Sequence, residues 1–151
     1  MSSTTVTETA QQKPFNGIVK DSIGLHVQSK NVEGTPLPGY TVIVGTTDAD
    51  AKQGTATDQK GIYGFFAYEH TSKPFRPSTV LDAYKAGDQA TVINGPGIII
   101  VGYLNSGTVK KGDTLEGGNN GGLIPLADGV PIAKAEESAT GPTRILIRSL
   151  I

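Results

Sequence analysis

Apolar positions recur along the chain in short runs, either unbroken or alternating with polar ones, and corner residues punctuate them. From Phe15 onward the runs are "FNGIV" (15–19), "GLHVQ" (24–28), "YTVIVG" (40–45) and "GIYGFFAYEH" (61–70). A proline-rich passage follows, then "QATVING" (89–95), "GIIIVGYL" (97–104), "GGLIPLAD" (121–128), "VPIAKAE" (130–136) and "TRILIRSLI" (143–151). Between them stand "DSIG", "TPLPG", "DQKG", "NGPG", "KKGD", "EGGNNGG" and "ATGP", each rich in residues that fit tight turns. Strands at this spacing predict an all-β chain, an antiparallel small barrel or sandwich. The unbroken run Ile98–Leu104 reads as a buried strand, far too short to span a bilayer. In the last run Ile145 and Ile147 fall on one face and Arg144, Leu146 and Arg148 on the other. A strand at that point is expected to dock in a sheet, so that its truncation is costly.

One segment breaks the pattern. "RPSTVLDAYKAGD" (76–88) offers Ser78 as a helix cap and Val80, Leu81 and Tyr84 as an apolar stripe, with Gly87 past its end. It fits one short helix and an irregular crossover equally well. In "EGTPLPGYTVIV" (33–44) Pro36 and Pro38 stiffen a turn, and Tyr63 and Phe65 are expected to share a strand face.

Residues 1–14 differ in kind. They are Ser/Thr/Gln-rich with a single large aliphatic, Val6. They bury little alone and read as a mobile N-terminal arm, leaving 15–151 as a single β-rich domain. "TTVTET" (4–9) nevertheless carries good strand formers, so the arm is suited to adding a strand to an exposed sheet edge. Ordering it costs about 1–2 kcal/mol per residue, which many backbone hydrogen bonds would have to offset. The candidate partner-binding residues are Thr4, Thr5, Val6, Thr7 and Phe15.

Composition narrows the chemistry. Among the 151 residues there is no Cys, which excludes disulfides, thiolate metal sites and a cysteine nucleophile. Thirteen basic residues face fourteen acidic ones, a balance that predicts neither a nucleic-acid nor a membrane partner. No signal peptide is apparent at the start. His26 and His70 have apolar or aromatic neighbours and no ligand spacing. Asp48 and Asp50 open like a calcium loop, but Lys52 and Gln53 stand where an oxygen ligand and a glycine are needed; a looser calcium site shared by Asp48, Asp50 and Asp58 is the alternative to a solvated hairpin tip, which is expected. There is no nucleophile elbow and no phosphate-binding glycine loop. The chain therefore reads as a non-enzyme with no cofactor and no metal. The phrase "VKKGD" (109–113) followed by Leu115 is how a cofactor-carrier domain can begin, and "KAGD" (85–88) is an earlier corner of the same K-x-G-D kind. The only nearby carrier lysine is Lys134, however, without the usual neighbours, so both phrases read as turns. In the second, Gly112 takes positive φ and the Asp113 carboxylate accepts local N–H groups.

Two stretches carry resemblances. From Tyr84 to Ile151, "AGDQATVINGPGIIIVGYL", "VKKGDTLE" and "GGLIPLADGVPIAKAEESATGPTRILIRSLI" resemble the tailed-phage head-decoration, or capsid cement, proteins. The resemblance implies a small β-tulip-like protein, usually a homotrimer. Such a protein is made in the host cytoplasm and sits on the virion's capsid surface. There it binds the major capsid protein and clamps neighbouring coat subunits, often with help from an N-terminal arm. It supplies no catalytic residue. From Glu33 to Phe66, "EGTPLPGYTVIV…GTATDQKGIYGFF" is similar to carboxypeptidase-regulatory-like and prealbumin-like β-sandwich modules. That likeness implies the alternative, a non-enzymatic adhesion or ligand-binding module.

Overall fold

The computed structural model describes residues 17–151. The arm residues 1–14, with Thr4, Thr5, Val6 and Thr7, and also Phe15, lie outside the described residues. The rest is all-β. Thirteen short strands follow one another, and the only helical pieces among the described residues are single 3-10 turns at Gln59–Gly61 and Asn119–Gly121.

Two rings of strands make up the fold. The first is a closed five-stranded barrel of β2 (His26–Val32), β3 (Thr41–Val44), β4 (Asp50–Gln53), β5 (Gly64–Phe66) and β6 (Gln89–Asn94), in the order β2-β4-β3-β5-β6. The second joins β7 (Ile99–Leu104), β10 (Leu123–Pro125), β9 (Thr114–Gly117), β11 (Ala133–Ala135) and β13 (Thr143–Ser149). β13 pairs back onto β7, and β1 (Val19–Asp21) flanks β7. A small ribbon of β8 (Thr108–Val109) and β12 (Ala139–Thr140) caps one side. Pairing is antiparallel except at two short parallel contacts, Asn31–Val32 with Asp50–Ala51 and Leu123 with Leu104.

Strand alternation explains how the rings meet. Across β5 and β6, Phe66 stands opposite Val92 and Phe65 opposite Ile93. Phe66 and Val92 point into the barrel with Val32, Val42, Ala51, Tyr84 and Ala90. Phe65 and Ile93, one residue out of phase, point the other way, into the larger cluster with Ile43, Ile100, Leu104, Leu115, Ile145 and Ile147. One face of the barrel is thus the floor of the second ring. Between neighbours on both sides, β7 and β13 are buried on both faces at mid-strand, which is why "IIIVGYL" is nearly continuous in apolar character. Leu146, expected opposite Ile145 and Ile147, is buried too.

The helix alternative for 76–88 does not form. Asp82 accepts from the Thr79 N–H and hydroxyl, and the Leu81 N–H donates to Thr79 Oγ1. These local bonds compete with helical ones. Tyr84 is meanwhile drawn into the barrel by its N–H bond to Pro36 O. The segment is the irregular crossover. Tyr63, expected to share a face with Phe65, lies just before β5 and packs on the barrel interior instead.

The two "K-x-G-D" corners are the same object. Gly87 and Gly112 have φ of 90° and 96°. In each corner the Asp N–H bonds the Lys carbonyl, at 3.1 Å for Asp88 and 3.0 Å for Asp113. Each Asp carboxylate accepts the Lys N–H in return, at 2.9 Å in the first and 2.8 Å in the second. Strands β6 and β9 follow directly.

Candidate interaction site

The site is built from the point where the arm joins the fold. Gly17 (φ 121°) leads into Ile18, fully buried, and Val19, the first residue of β1. The Glu69 carboxylate, in the stretch after β5, accepts the Ile18 N–H at 2.9 Å and the Val19 N–H at 2.8 Å. A Cβ at position 17 would collide with that carboxylate, so glycine lets the chain pass beneath it. The root of the arm is therefore fixed by a charge-assisted pair of bonds from a residue about 50 positions away in sequence. Next to Glu69, the His70 carbonyl accepts from Thr91 Oγ1 at 2.7 Å, tying the root to β6.

Beside β6 runs β2, and among the described residues its first half is a free edge. Backbone groups of Lys30, Gln28 and His26 face β6, in phase with Val32, whose N–H reaches Asp88 O. The opposite phase faces β4: the Asn31 N–H donates to Ala49 O and the Glu33 N–H to Ala51 O. The β4 pairing ends at Asn31, so the N–H and C=O groups of Val27 and Ser29 point outward with no strand beside them among the described residues. Val27 is 54% exposed and Ile23, in the preceding turn, 83%. Lys30 turns its ammonium back onto Asp48 O at 2.6 Å.

A second polar locus joins the two rings. Glu116 on β9 is buried, yet both of its oxygens are used. Oε1 accepts the Ala127 N–H at 2.7 Å and Oε2 accepts Gln59 Nε2 at 2.8 Å. Gln59 Oε1 in turn accepts the Val130 N–H at 2.8 Å. Gly129 passes over this pair where any Cβ would overlap both side chains. The result is the floor of an open groove of about 590 Å³, rimmed by Asp58, Lys60 and Asp128. Elsewhere Arg144 reaches across from β13 to Val80 O at 2.6 Å, beside the edge-to-face pair Tyr40–Tyr103. Burial lowers its pKa from the usual arginine value, and burial likewise raises that of the Tyr40 phenol.

The sequence-flagged groups do not converge. His26 lies exposed on β2 and His70 exposed in the loop after β5. Asp48 is at the hairpin tip between β3 and β4. Asp50 turns onto the Thr47 hydroxyl and N–H, and the hydroxyl bond is the main cause holding its carboxyl below the ordinary value. Asp58 sits on a different loop, at the rim of the groove. Among the described residues no group of three or more His, Asp or Glu is placed to hold a metal ion, and no helix is long and apolar enough to cross a membrane. Lys134 is an exposed mid-strand residue of β11 and not a hairpin tip. Sequence reasoning missed Glu69, Glu116, Gln59 and Arg144. The one available signal was a lone carboxylate directly after the apolar run "GFFAY".

No protein-family model matches the sequence, and no curated protein matches it either. Among solved structures the chain is similar to the head fiber gp8.5 N base of bacteriophage phi29. The TM-score is 0.51 and the identity 15%, over 83% of this chain and 93% of that one, a likeness of fold.

Proposed function

We propose that the chain is a structural, non-enzymatic virion protein that sits on the assembled capsid surface of a phage and clamps neighbouring subunits of the major capsid protein. The observation that carries this reading is the shared fold with a phage head fiber base, which spans nearly all of that chain. The decoration-protein pattern from Tyr84 to Ile151 points the same way. In this reading residues 15–151 act as one β-rich domain, and a homotrimer presents three modest contacts whose linkage raises avidity without any single strong site. The arm adds a strand to a coat-protein sheet, with Thr4, Thr5, Val6, Thr7 and Phe15 as the partner-binding residues. Glu69 supports this role by giving the arm a fixed point of departure.

The test is co-sedimentation of the full chain, and of the chain lacking Met1–Pro14, with heads of the phage whose particles carry it. The full chain saturates the heads, and the deletion weakens binding about tenfold or more. Equal saturation by both would defeat the arm mechanism, and no binding by the full chain would defeat the virion reading. Light scattering of the full chain is expected to give three times 15.7 kDa.

A further inference from the structure

Residues 67–71, the short stretch after β5, bond β6, the crossover and β1 at once. β6 is reached through Thr91. Its carbonyl accepts the Ala67 N–H at 2.9 Å, its hydroxyl donates to His70 O at 2.7 Å, and its N–H donates to Thr71 Oγ1 at 3.0 Å. The crossover is reached through two tyrosines. The buried Tyr84 hydroxyl donates to Ala67 O and accepts from the Thr71 hydroxyl at 2.7 Å. Tyr68 donates to Ser78 O at 3.1 Å, and its ring lies 5.0 Å beneath the Arg76 guanidinium. β1 is reached through Glu69, whose carboxylate accepts the Ile18 and Val19 N–H groups.

Thr71 ties these bonds together. A hydroxyl has one proton, and here it goes to Tyr84. The lone pairs are thereby turned toward the Thr91 N–H, so the two contacts are made or lost together. β1 itself is weakly held. It is three residues long, none of them fully buried, and its pairing with β7 slips register between Val19 and Asp21.

We infer that Ile18–Val19, residues 67–71 and the crossover 72–88 open and close as one cooperative unit, with the Thr71–Tyr84 contact as its clasp and Glu69 as its link to β1. In the open state the 67–71 stretch leaves Thr91, and Glu69 withdraws from the Ile18 and Val19 N–H groups. Openings of this kind involve connected pieces of a fold and lie below the free energy of global unfolding. The coupling is reciprocal: a contact that steadies the crossover steadies the start of β1, and the reverse holds by the same factor. This is so whatever the chain binds. For the virion reading it means that the point from which the arm departs answers to the crossover.

Native-state amide hydrogen exchange of the full chain across a urea series tests the unit. The Ile18, Val19, Thr71 and Tyr84 amides, each hydrogen-bonded in the closed state, should share one opening free energy and one urea dependence. Both should lie below those of the amides bonded between β7 and β13. Thr71→Val removes no bond to Ile18 or Val19. It should nevertheless speed exchange of their amides, and of the Tyr84 amide, about tenfold or more relative to the β7 and β13 amides. Ile18 and Val19 amides with a urea dependence of their own would overturn the inference. So would a Thr71→Val chain in which they accelerate no more than the β7 and β13 amides, and so would one opening free energy shared by every amide of the chain.

Discussion

Tyr84 is the largest of the fully buried side chains, and its hydroxyl ends a defined relay. The phenol donates to the Ala67 carbonyl, so the 2.7 Å contact with Thr71 Oγ1 requires the threonine to be the donor. Thr71 Oγ1 in turn accepts the Thr91 N–H at 3.0 Å. The relay pins the crossover 76–88 to the barrel between β5 and β6. Tyr84→Phe keeps the ring and its tilted contact with Phe66 but leaves Ala67 O and the Thr71 hydroxyl short of a partner. That loss costs about 1–3 kcal/mol, and for a chain of this length it lowers Tm by about 2–4 °C per kcal/mol.

The same hydroxyl makes a pH signature. Burial pushes its pKa from about 10 to about 12, with the Thr71 hydrogen bond working the other way. The folded chain therefore keeps a proton that the unfolded chain releases between pH 10 and 12. Stability from this group is complete below pH 10 and is lost as pH rises through 12, a change on the order of 2–3 kcal/mol. Tyr40 and Tyr63 are shifted in the same direction, but they are common to both proteins and cancel in the comparison. Thermal melts of wild type and Y84F at pH 8, with urea unfolding of both at pH 8 and at steps from pH 10 to 11.5, read the two effects. The gap between the two proteins is expected to narrow steadily above pH 10. A Tm change under about 1 °C at pH 8, or a gap that stays constant with pH, would refute the relay.

Two further predictions follow from single residues. Glu69→Ala leaves the Ile18 and Val19 N–H groups without an acceptor; β1 should fray, and trypsin should cut after Lys20 faster than in wild type, while an unchanged cleavage rate would mean that β1 is held by its pairing with β7 alone. Gly129→Ala forces a methyl into Glu116 and Gln59 and is expected to cost about 1–3 kcal/mol by denaturant titration, whereas a neutral result would show that the 126–130 loop shifts freely.

How far the sequence reveals this molecule depends on what each feature rests upon. Strands with their own apolar rhythm, such as β3, β6, β7 and β13, are legible because burial on one or both faces writes the pattern locally. The "K-x-G-D" corners are legible for the same reason, since every bond that makes them lies within four residues. By contrast β4 ("DAKQ") and β9 ("TLEG") carry no such rhythm. They exist because ring closure supplies neighbours on both sides, and a polar strand on a barrel wall needs only its outward face to be wet. The parallel contacts of β2 with β4 and of β10 with β7 are likewise products of closure. Glu69, Glu116, Gln59 and Arg144 were invisible for a different reason. Their partners are mainly backbone groups 50 or more residues away or across a loop, and a side chain that serves the backbone forms no spaced motif. That same fact bears on function. Glu69, Glu116, Gln59 and Arg144 are spent on holding strands, loops and the arm root in place, and what faces outward around β2 is, among the described residues, unpaired backbone with a few aliphatics. A surface of that kind recognises another chain by its edge and its shape rather than by a set of converging side chains.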